Sequence, residues 1–123
     1  MSDSGASVVS IHPYFKVHPG QLKAFKQLLE EFVSKTMTES TCYYYDFSIL
    51  DEEIVFCREA YAGAEGLLAH VDNVGGVIAK ALEISDLIRV EVHGGADELA
   101  KLKEPLKDLN PDWFVFERGA VFP

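Results

Sequence analysis

The chain has 123 residues, of which 48% are hydrophobic and 25% are charged, a balance typical of one soluble globular domain. Its formal net charge of −9, with eleven basic residues and no basic cluster, argues against nucleic acid or an anionic membrane surface as a partner. No apolar run approaches the roughly 20 residues that span a bilayer, so we expect no membrane-spanning segment.

Residues 1–7 (M-S-D-S-G-A-S) lack the basic and apolar regions of a signal peptide, and they predict a short flexible tail. The two cysteines form no C-x-x-C motif, which argues against a disulfide framework or a zinc site. His12, His18 and His93 show no metal-ligand spacing, so we expect no metal. Together these features favour a reduced, cytoplasmic setting.

The first half of the chain predicts a strand, a helix and a second strand. Residues 8–17 alternate in hydrophobicity as a half-buried strand does. An amphipathic helix follows Pro19-Gly20, with apolar side chains at helical spacing from Leu22 to Val33. After the polar turn T-M-T-E-S-T, residues 42–50 (C-Y-Y-Y-D-F-S-I-L) have the composition of a strand.

The acidic turn at residues 51–53 predicts a hairpin between residues 42–50 and a strand that begins at Ile54. We expect Leu50 to lie opposite Ile54. The pairs on one face of the sheet are then Ile49–Val55, Phe47–Cys57, Tyr45–Glu59 and Tyr43–Tyr61.

The second half predicts short helices around one more strand, followed by a helix and a strand. The predicted elements are a short helix at residues 64–70, a second helix from the N-cap Asp72 to Leu82, a strand at 84–93, a helix at 96–102 and a strand at 113–117. Because glycine is costly inside a helix, Gly75-Gly76 suggests close approach by another backbone or a ligand, or a break in the helix, and we favour close packing.

This order of elements is the split βαβ pattern of a ferredoxin-like α+β domain, in which helices cover one face of an antiparallel sheet. Both faces of the hairpin carry bulky apolar side chains, so the outer face also needs cover. We therefore predict a homodimer in which two sheets pack face to face as a dimeric α+β barrel. One domain spans residues 8–123, with a core at about 8–93 and a C-terminal helix-strand extension at 94–123.

The spacing Glu59-x-Tyr61-x-Gly63, with His70 eleven residues after Glu59, resembles the antibiotic biosynthesis monooxygenase domain family. In that family the strand carries Glu, one residue and Trp, and the helix that follows carries His. This chain departs from the pattern at Tyr61, where Trp is usual.

Two further segments resemble the same family. The strand T-C-Y-Y-Y-D (41–46) is similar to the family's Gly-Cys-Leu-x-Tyr-Glu strand, although Thr41 replaces the usual Gly. V-H-P-G-Q-L-K-A-F (17–25) is similar to the beginning of its first helix, and the resemblance covers roughly residues 8–93.

The resemblance implies a dimeric barrel with a pocket between sheet and helices. Some members oxidise phenols or quinols with O₂ and no metal or flavin, whereas others degrade haem, isomerise small molecules or have no assigned activity. Haem degradation is disfavoured here, because those members rely on the Trp and on a late histidine of the second helix. Residues 71–80 contain no histidine.

His70 is the leading candidate for a catalytic base, since a neutral imidazole can take a phenolic proton near neutral pH. The phenolate or enolate that forms is electron-rich enough to reduce O₂ directly. Alternatively, His70 is a residue at a helix end that bonds a free carbonyl group. Glu59 would orient or charge His70, or it is a core carboxylate satisfied by Tyr45 or His70.

Aromatic and small polar side chains near these two groups are candidates for binding a substrate. These candidates are Tyr61, Tyr45, Tyr43, Cys57 and Asn73. The tyrosines can equally be core or interface residues, and Cys57 a small buried hydrophobe.

The sequence thus predicts a cofactor-independent monooxygenase that acts on a small aromatic, quinol-like or enolisable metabolite with O₂. A second copy of the chain and the small-molecule substrate are the expected partners. Three alternatives stay open: a cofactor-free isomerase or decarboxylase, a non-catalytic dimer that binds a small molecule, and an oligomerisation domain without chemistry.

Overall fold

The computed structural model describes residues 7–120. The tail predicted for residues 1–7 lies, except for Ser7, outside the described residues. The elements are β1 (Val8–Val17), α1 (Leu22–Thr36), β2 (Cys42–Leu50), β3 (Ile54–Ala62), α2 (Gly63–Glu83), β4 (Ser85–Gly94), α3 (Ala96–Leu102), a 3₁₀ helix (Lys107–Leu109) and β5 (Asp112–Val115).

The five strands form one sheet in the order β2-β3-β1-β4-β5. The first four pair in antiparallel fashion, and β5 adds to β4 in parallel, as a crossover through α3 allows. The buried faces of α1 and α2 pack on one side of the sheet. The predicted α+β, ferredoxin-like fold is therefore confirmed, with the difference that the strand of the extension makes the sheet mixed.

A three-residue loop, residues 51–53, joins the strands of the β2–β3 hairpin. Asp51 and Glu52 both have positive φ, 51° and 56°, and the Glu53 N–H donates to the Leu50 carbonyl at 3.0 Å. Positive φ at two successive residues is a conformation found in tight hairpin turns. Leu50 lies opposite Ile54 as predicted.

The predicted register fails only at the far end of the hairpin. It holds as far as Tyr44 opposite Ala60, but then shifts by one residue between Cys42 and Tyr44. Cys42 rather than Tyr43 therefore lies opposite Tyr61. Because neighbouring side chains on a strand point to opposite faces, the shift turns Tyr43 outward.

Helix α2 is one unbroken helix of 21 residues. The predicted division at Asp72 is wrong, because buried side chains continue at helical spacing from Leu67 through Val74 to Ala81 and keep one face on the sheet. The expected close packing at Gly75-Gly76 is also wrong, since a Cβ on either residue would have no atom within 4 Å.

The C-terminal extension packs against the strands and against the beginning of α2. Leu99, Leu102 and Leu106 are at most 3% exposed and pack in one cluster with residues of β1, β3 and β4. In addition, Glu98 Oε1 accepts a hydrogen bond from the Ala64 N–H in the first turn of α2 at 2.8 Å. Within residues 7–120, no helix is long and apolar enough to cross a membrane.

Candidate functional site

A cavity of about 300 Å³ lies between the sheet and the helices. Inward-facing side chains of β2, β3, β1 and β4 form its roof, and α1 and α2 form its floor. Most of its lining is apolar, and the ionisable groups in it are Tyr45, Cys57, Glu59, His70 and Asp108. A mostly apolar cavity with few polar groups is typical of a site for a small molecule.

The junction between β3 and α2 brings the two main polar groups together. Glu59 points inward from β3, and Gly63, with a φ of 77°, turns the chain directly from the strand into the helix. His70 lies two helical turns further on, on the face of α2 that packs against the sheet. The two side chains thus meet inside the domain, with 3.4 Å between His70 Nε2 and Glu59 Oε1.

A second carboxylate fixes the orientation of the His70 ring. His70 Nδ1 lies 2.8 Å from Oε2 of Glu39, whose side chain is 8% exposed. Burial lowers the pKa of His70, while the hydrogen bond to Glu39 acts in the opposite direction, so the neutral ring is favoured. A carboxylate only accepts hydrogen bonds, so Nδ1 donates and the lone pair is on Nε2. The basic nitrogen thus faces Glu59.

Glu59 holds a proton more tightly than an ordinary carboxyl group. Burial raises the pKa of Glu59 to about 7, and the hydrogen bond from Tyr61 lowers it only in part. The Tyr61 hydroxyl donates to Glu59 Oε1 at 2.5 Å. Tyr45, which the sequence suggested as this donor, instead packs its ring against His70 with 5.0 Å between ring centroids.

The structure places five of the predicted site residues in or directly beside the cavity. His70, Glu59, Tyr45 and Cys57 line the cavity. Tyr61 is fully buried behind Glu59 and does not line it. The pKa values of Tyr61, Tyr45 and Cys57 are all raised by burial, so these groups stay protonated and neutral near pH 7.

Two further predicted residues, Tyr43 and Asn73, also do not line the cavity. Tyr43 is 61% exposed, as the register shift in β2 requires. Asn73 donates from Nδ2 to the Lys35 carbonyl oxygen at 2.8 Å and to Glu39 Oε2 at 2.9 Å. Asn73 therefore supports the carboxylate that holds His70.

Glu39 is the functional candidate that the sequence did not indicate. Its N–H donates to the Thr36 carbonyl oxygen at 3.0 Å, and the turn that this bond closes carries the side chain back toward α2. Its Oε1 is buried and has no hydrogen-bond partner among the described residues. In the sequence, T-M-T-E-S-T is typical of a solvated turn, so nothing in it marked Glu39.

The three groups have complementary chemistry. His70 offers a lone pair, Glu59 carries a proton near neutral pH, and Glu39 can stabilise the imidazolium that forms when His70 accepts a proton. Across residues 7–120, no cluster of three or more His, Cys, Asp or Glu side chains is arranged to hold a metal ion. The arrangement suits proton transfer to and from a small molecule in an apolar setting.

Comparison with solved structures identifies proteins that are similar over most of the chain. MupZ from Pseudomonas fluorescens is 36% identical, with 94% of this chain and 95% of that chain covered and a TM-score of 0.89. A Caulobacter crescentus protein provisionally named an antibiotic biosynthesis monooxygenase is 18% identical, with 72% and 90% covered and a TM-score of 0.64.

A Nitrosomonas europaea protein with the same provisional name is 17% identical, with 78% of this chain and 96% of that chain covered and a TM-score of 0.66. At such identities the last two comparisons concern the fold alone. Neither a protein-family model nor a curated protein matches the sequence.

Proposed function

Since the chain belongs to the antibiotic biosynthesis monooxygenase-like family, we propose that it oxygenates a small aromatic, quinol-like or enolisable molecule without a bound cofactor. The observation that carries the proposal is the hydrogen bond between His70 Nδ1 and Glu39, which leaves the lone pair on Nε2, 3.4 Å from Glu59 Oε1, at the wall of an apolar cavity. Proton abstraction is the step that this geometry supports best.

In the first step, His70 Nε2 takes a proton from an acidic C–H or O–H group of the substrate. The substrate keeps the electron pair and becomes a carbanion or phenolate, and His70 becomes an imidazolium. Glu39 lies 2.8 Å from Nδ1 and stabilises that positive charge. Glu59 in its protonated form adds no negative charge beside the new anion.

In the second step, O₂ is the oxidant and the substrate anion is the reductant. The electron pair of the anion forms a new C–O bond, and the peroxide takes the proton back from His70. Where the same carbon still bears a hydrogen, loss of water from the hydroperoxide gives a carbonyl group. One oxygen atom of O₂ then enters the product and the other leaves as water.

A second candidate function, isomerisation, is favoured by the pairing of an acid with a base. Glu59, whose pKa burial raises to about 7, lies 3.4 Å from the unprotonated Nε2 of His70. His70 could remove a proton from one carbon while Glu59 supplies one to another, and no oxidant would be consumed.

One experiment distinguishes the two functions. A panel of hydroxylated aromatics and 1,3-diketones is incubated with the protein in D₂O, with and without O₂, and both O₂ uptake and incorporation of deuterium are followed. O₂ uptake that is lost in His70→Ala supports the oxygenase, whereas formation of a rearranged product without O₂, with deuterium at the carbon that gains the proton, supports the isomerase. His18→Ala, which changes a half-buried histidine outside the cavity, is the matched control. Neither signal from any substrate would argue against both functions.

We also propose that the protein is a homodimer joined through the outer face of the sheet. That face carries stacked rings, with 5.8 Å between the centroids of His12 and Phe56 and 4.5 Å between those of His93 and Phe114. A half-buried aromatic surface of this kind supports a protein contact. Sedimentation equilibrium should give twice the chain mass of 13.7 kDa, and Phe56→Lys should reduce it to the monomer mass.

A cytoplasmic location is part of the proposal. Cys42 and Cys57 are both free thiols, which is the usual state in a reducing compartment. Fractionation of cells that express the protein from its native gene would test this location.

A further inference from the structure

We infer that residues 105–109 of the C-terminal extension form a specificity-determining wall, which limits the bulk of the apolar tail of an uncharged ligand. This inference rests on the proposed function, because it places the polar head of the ligand at His70. The segment includes Leu106 and Leu109, both of which line the cavity. It will be called the extension wall.

The sheet order sets the direction of the cavity. Tyr45 and Glu59 belong to β2 and β3, whereas Val90 belongs to β4, and β1 lies between β3 and β4. Two strand spacings of about 4.8 Å therefore separate Glu59 from β4, or roughly 10 Å. The extension wall lines the cavity together with β4, so a ligand with its head at His70 would direct its tail toward the wall.

The exposed lining residues show where the cavity opens. Gly75 of α2 and Pro105 and Asp108 of the extension wall are solvent-exposed and also line the cavity. The opening thus lies between α2 and the extension wall. The wall would therefore limit the width of a substituent rather than its length, because a long, thin tail could extend through this opening.

The extension wall is held in place from several sides. Leu106 is 3% exposed, its N–H donates to the Leu102 carbonyl oxygen at 3.0 Å, and the Leu109 N–H donates to the Leu106 carbonyl oxygen at 3.0 Å. Beyond the wall, β5 pairs with β4. A segment fixed in this way can discriminate ligands by shape. Leu109 is the better residue to mutate, because it is half-buried and its truncation costs the core less than truncation of the buried Leu106.

The charges around the cavity indicate the class of ligand. Among the described residues that line it, there is no lysine or arginine, while Glu59 and Asp108 are both acidic. The protein as a whole carries a formal charge of −9. A carboxylate or phosphate on the ligand would therefore meet no cationic partner, and an uncharged head that can donate a proton to His70 fits better.

Calorimetric titration with three defined probes tests the inference. The probes are 4-ethylphenol, the broader 4-cyclohexylphenol and the anion 4-ethylbenzoate. Leu109→Ala should strengthen binding of 4-cyclohexylphenol relative to 4-ethylphenol by at least about fivefold, because it removes apolar volume at the wall. Leu109→Phe should change that ratio in the opposite direction, and 4-ethylbenzoate should bind at least about tenfold more weakly than 4-ethylphenol.

Leu82→Ala is the matched control, since it makes the same substitution at an exposed position of α2 outside the cavity. The inference is overturned if both Leu109 variants, shown to be folded by circular dichroism, keep the wild-type ratio. It is also overturned if the benzoate binds as tightly as the phenol, or if no phenol binds. Binding needs no turnover, so a failure of the proposed function appears separately, as binding without O₂ uptake or deuterium incorporation.

Discussion

The raised pKa of Glu59 has a measurable consequence for stability. In the unfolded chain this carboxyl group ionises near its ordinary pKa of 4.5, whereas in the folded protein burial raises the pKa to about 7. Between these values the unfolded state has released a proton that the folded state still holds. The free energy of unfolding should therefore fall as the pH rises from 4.5 to 7 and then level off.

The size of this effect follows from the difference between the two pKa values. Each unit of difference corresponds to 1.36 kcal/mol, so Glu59 should cost the folded state about 3 kcal/mol at pH 8 relative to pH 4. Glu59 is only 4% exposed, so solvent screening reduces this free-energy cost little. Glu59→Gln keeps an acceptor for the Tyr61 hydroxyl but cannot ionise.

Urea unfolding of wild type and Glu59→Gln, at one protein concentration and a series of pH values from 4 to 8, measures the effect. From pH 4 to pH 8, the free energy of unfolding of the variant should rise by about 3 kcal/mol relative to that of the wild type, because only the wild type has Glu59 to ionise. Titration of His70 contributes to both proteins. Glu83→Gln, at an exposed position, should show no such trend. A difference between wild type and Glu59→Gln that stays constant within about 1 kcal/mol would refute the reasoning.

Three further predictions concern the same cluster. Tyr61→Phe removes the hydrogen bond that lowers the pKa of Glu59, so the pH at which the stability curve levels off should move upward in the urea series. Glu39→Gln should leave the fold intact by circular dichroism but slow proton abstraction by at least about 100-fold, measured as deuterium incorporation, because a neutral amide cannot stabilise the imidazolium. The rate of proton abstraction in wild type should fall as the pH rises through about 7, where Glu59 ionises, and this fall should be absent in Glu59→Gln.

Much of the fold could be predicted from the sequence, because the strongest patterns coincide with the packing. The alternation in β1 and the hairpin around residues 51–53 place Tyr45 and Glu59 on the buried face, and the structure confirms that pairing. Where local patterns compete with packing, they mislead. Asp72 looks like a helix cap in isolation, yet Val74 continues the buried face of α2 and keeps the helix intact.

The parts of the site that could not be predicted depend on long-range contacts. One bulge in β2 turns Tyr43 out of the cavity, and no residue type near it signals that shift. Glu39 is 31 residues from His70 in the chain, and its role is visible only after α1 and α2 have packed together. Asn73 illustrates the same limit, since its partner Glu39 was itself not recognised.

The charge of the cluster explains why an apolar site can carry out this chemistry. Before the reaction, burial favours a neutral His70 and a protonated Glu59, so neither side chain adds a charge to the cluster. Proton abstraction makes His70 positive and the substrate negative, so the total is unchanged, and the new cation lies 2.8 Å from Glu39. No net charge has to be created in the low-dielectric interior, where an uncompensated charge would be most costly. Ionisation of Glu59 would break this balance by adding a second negative charge at the place where the substrate anion forms.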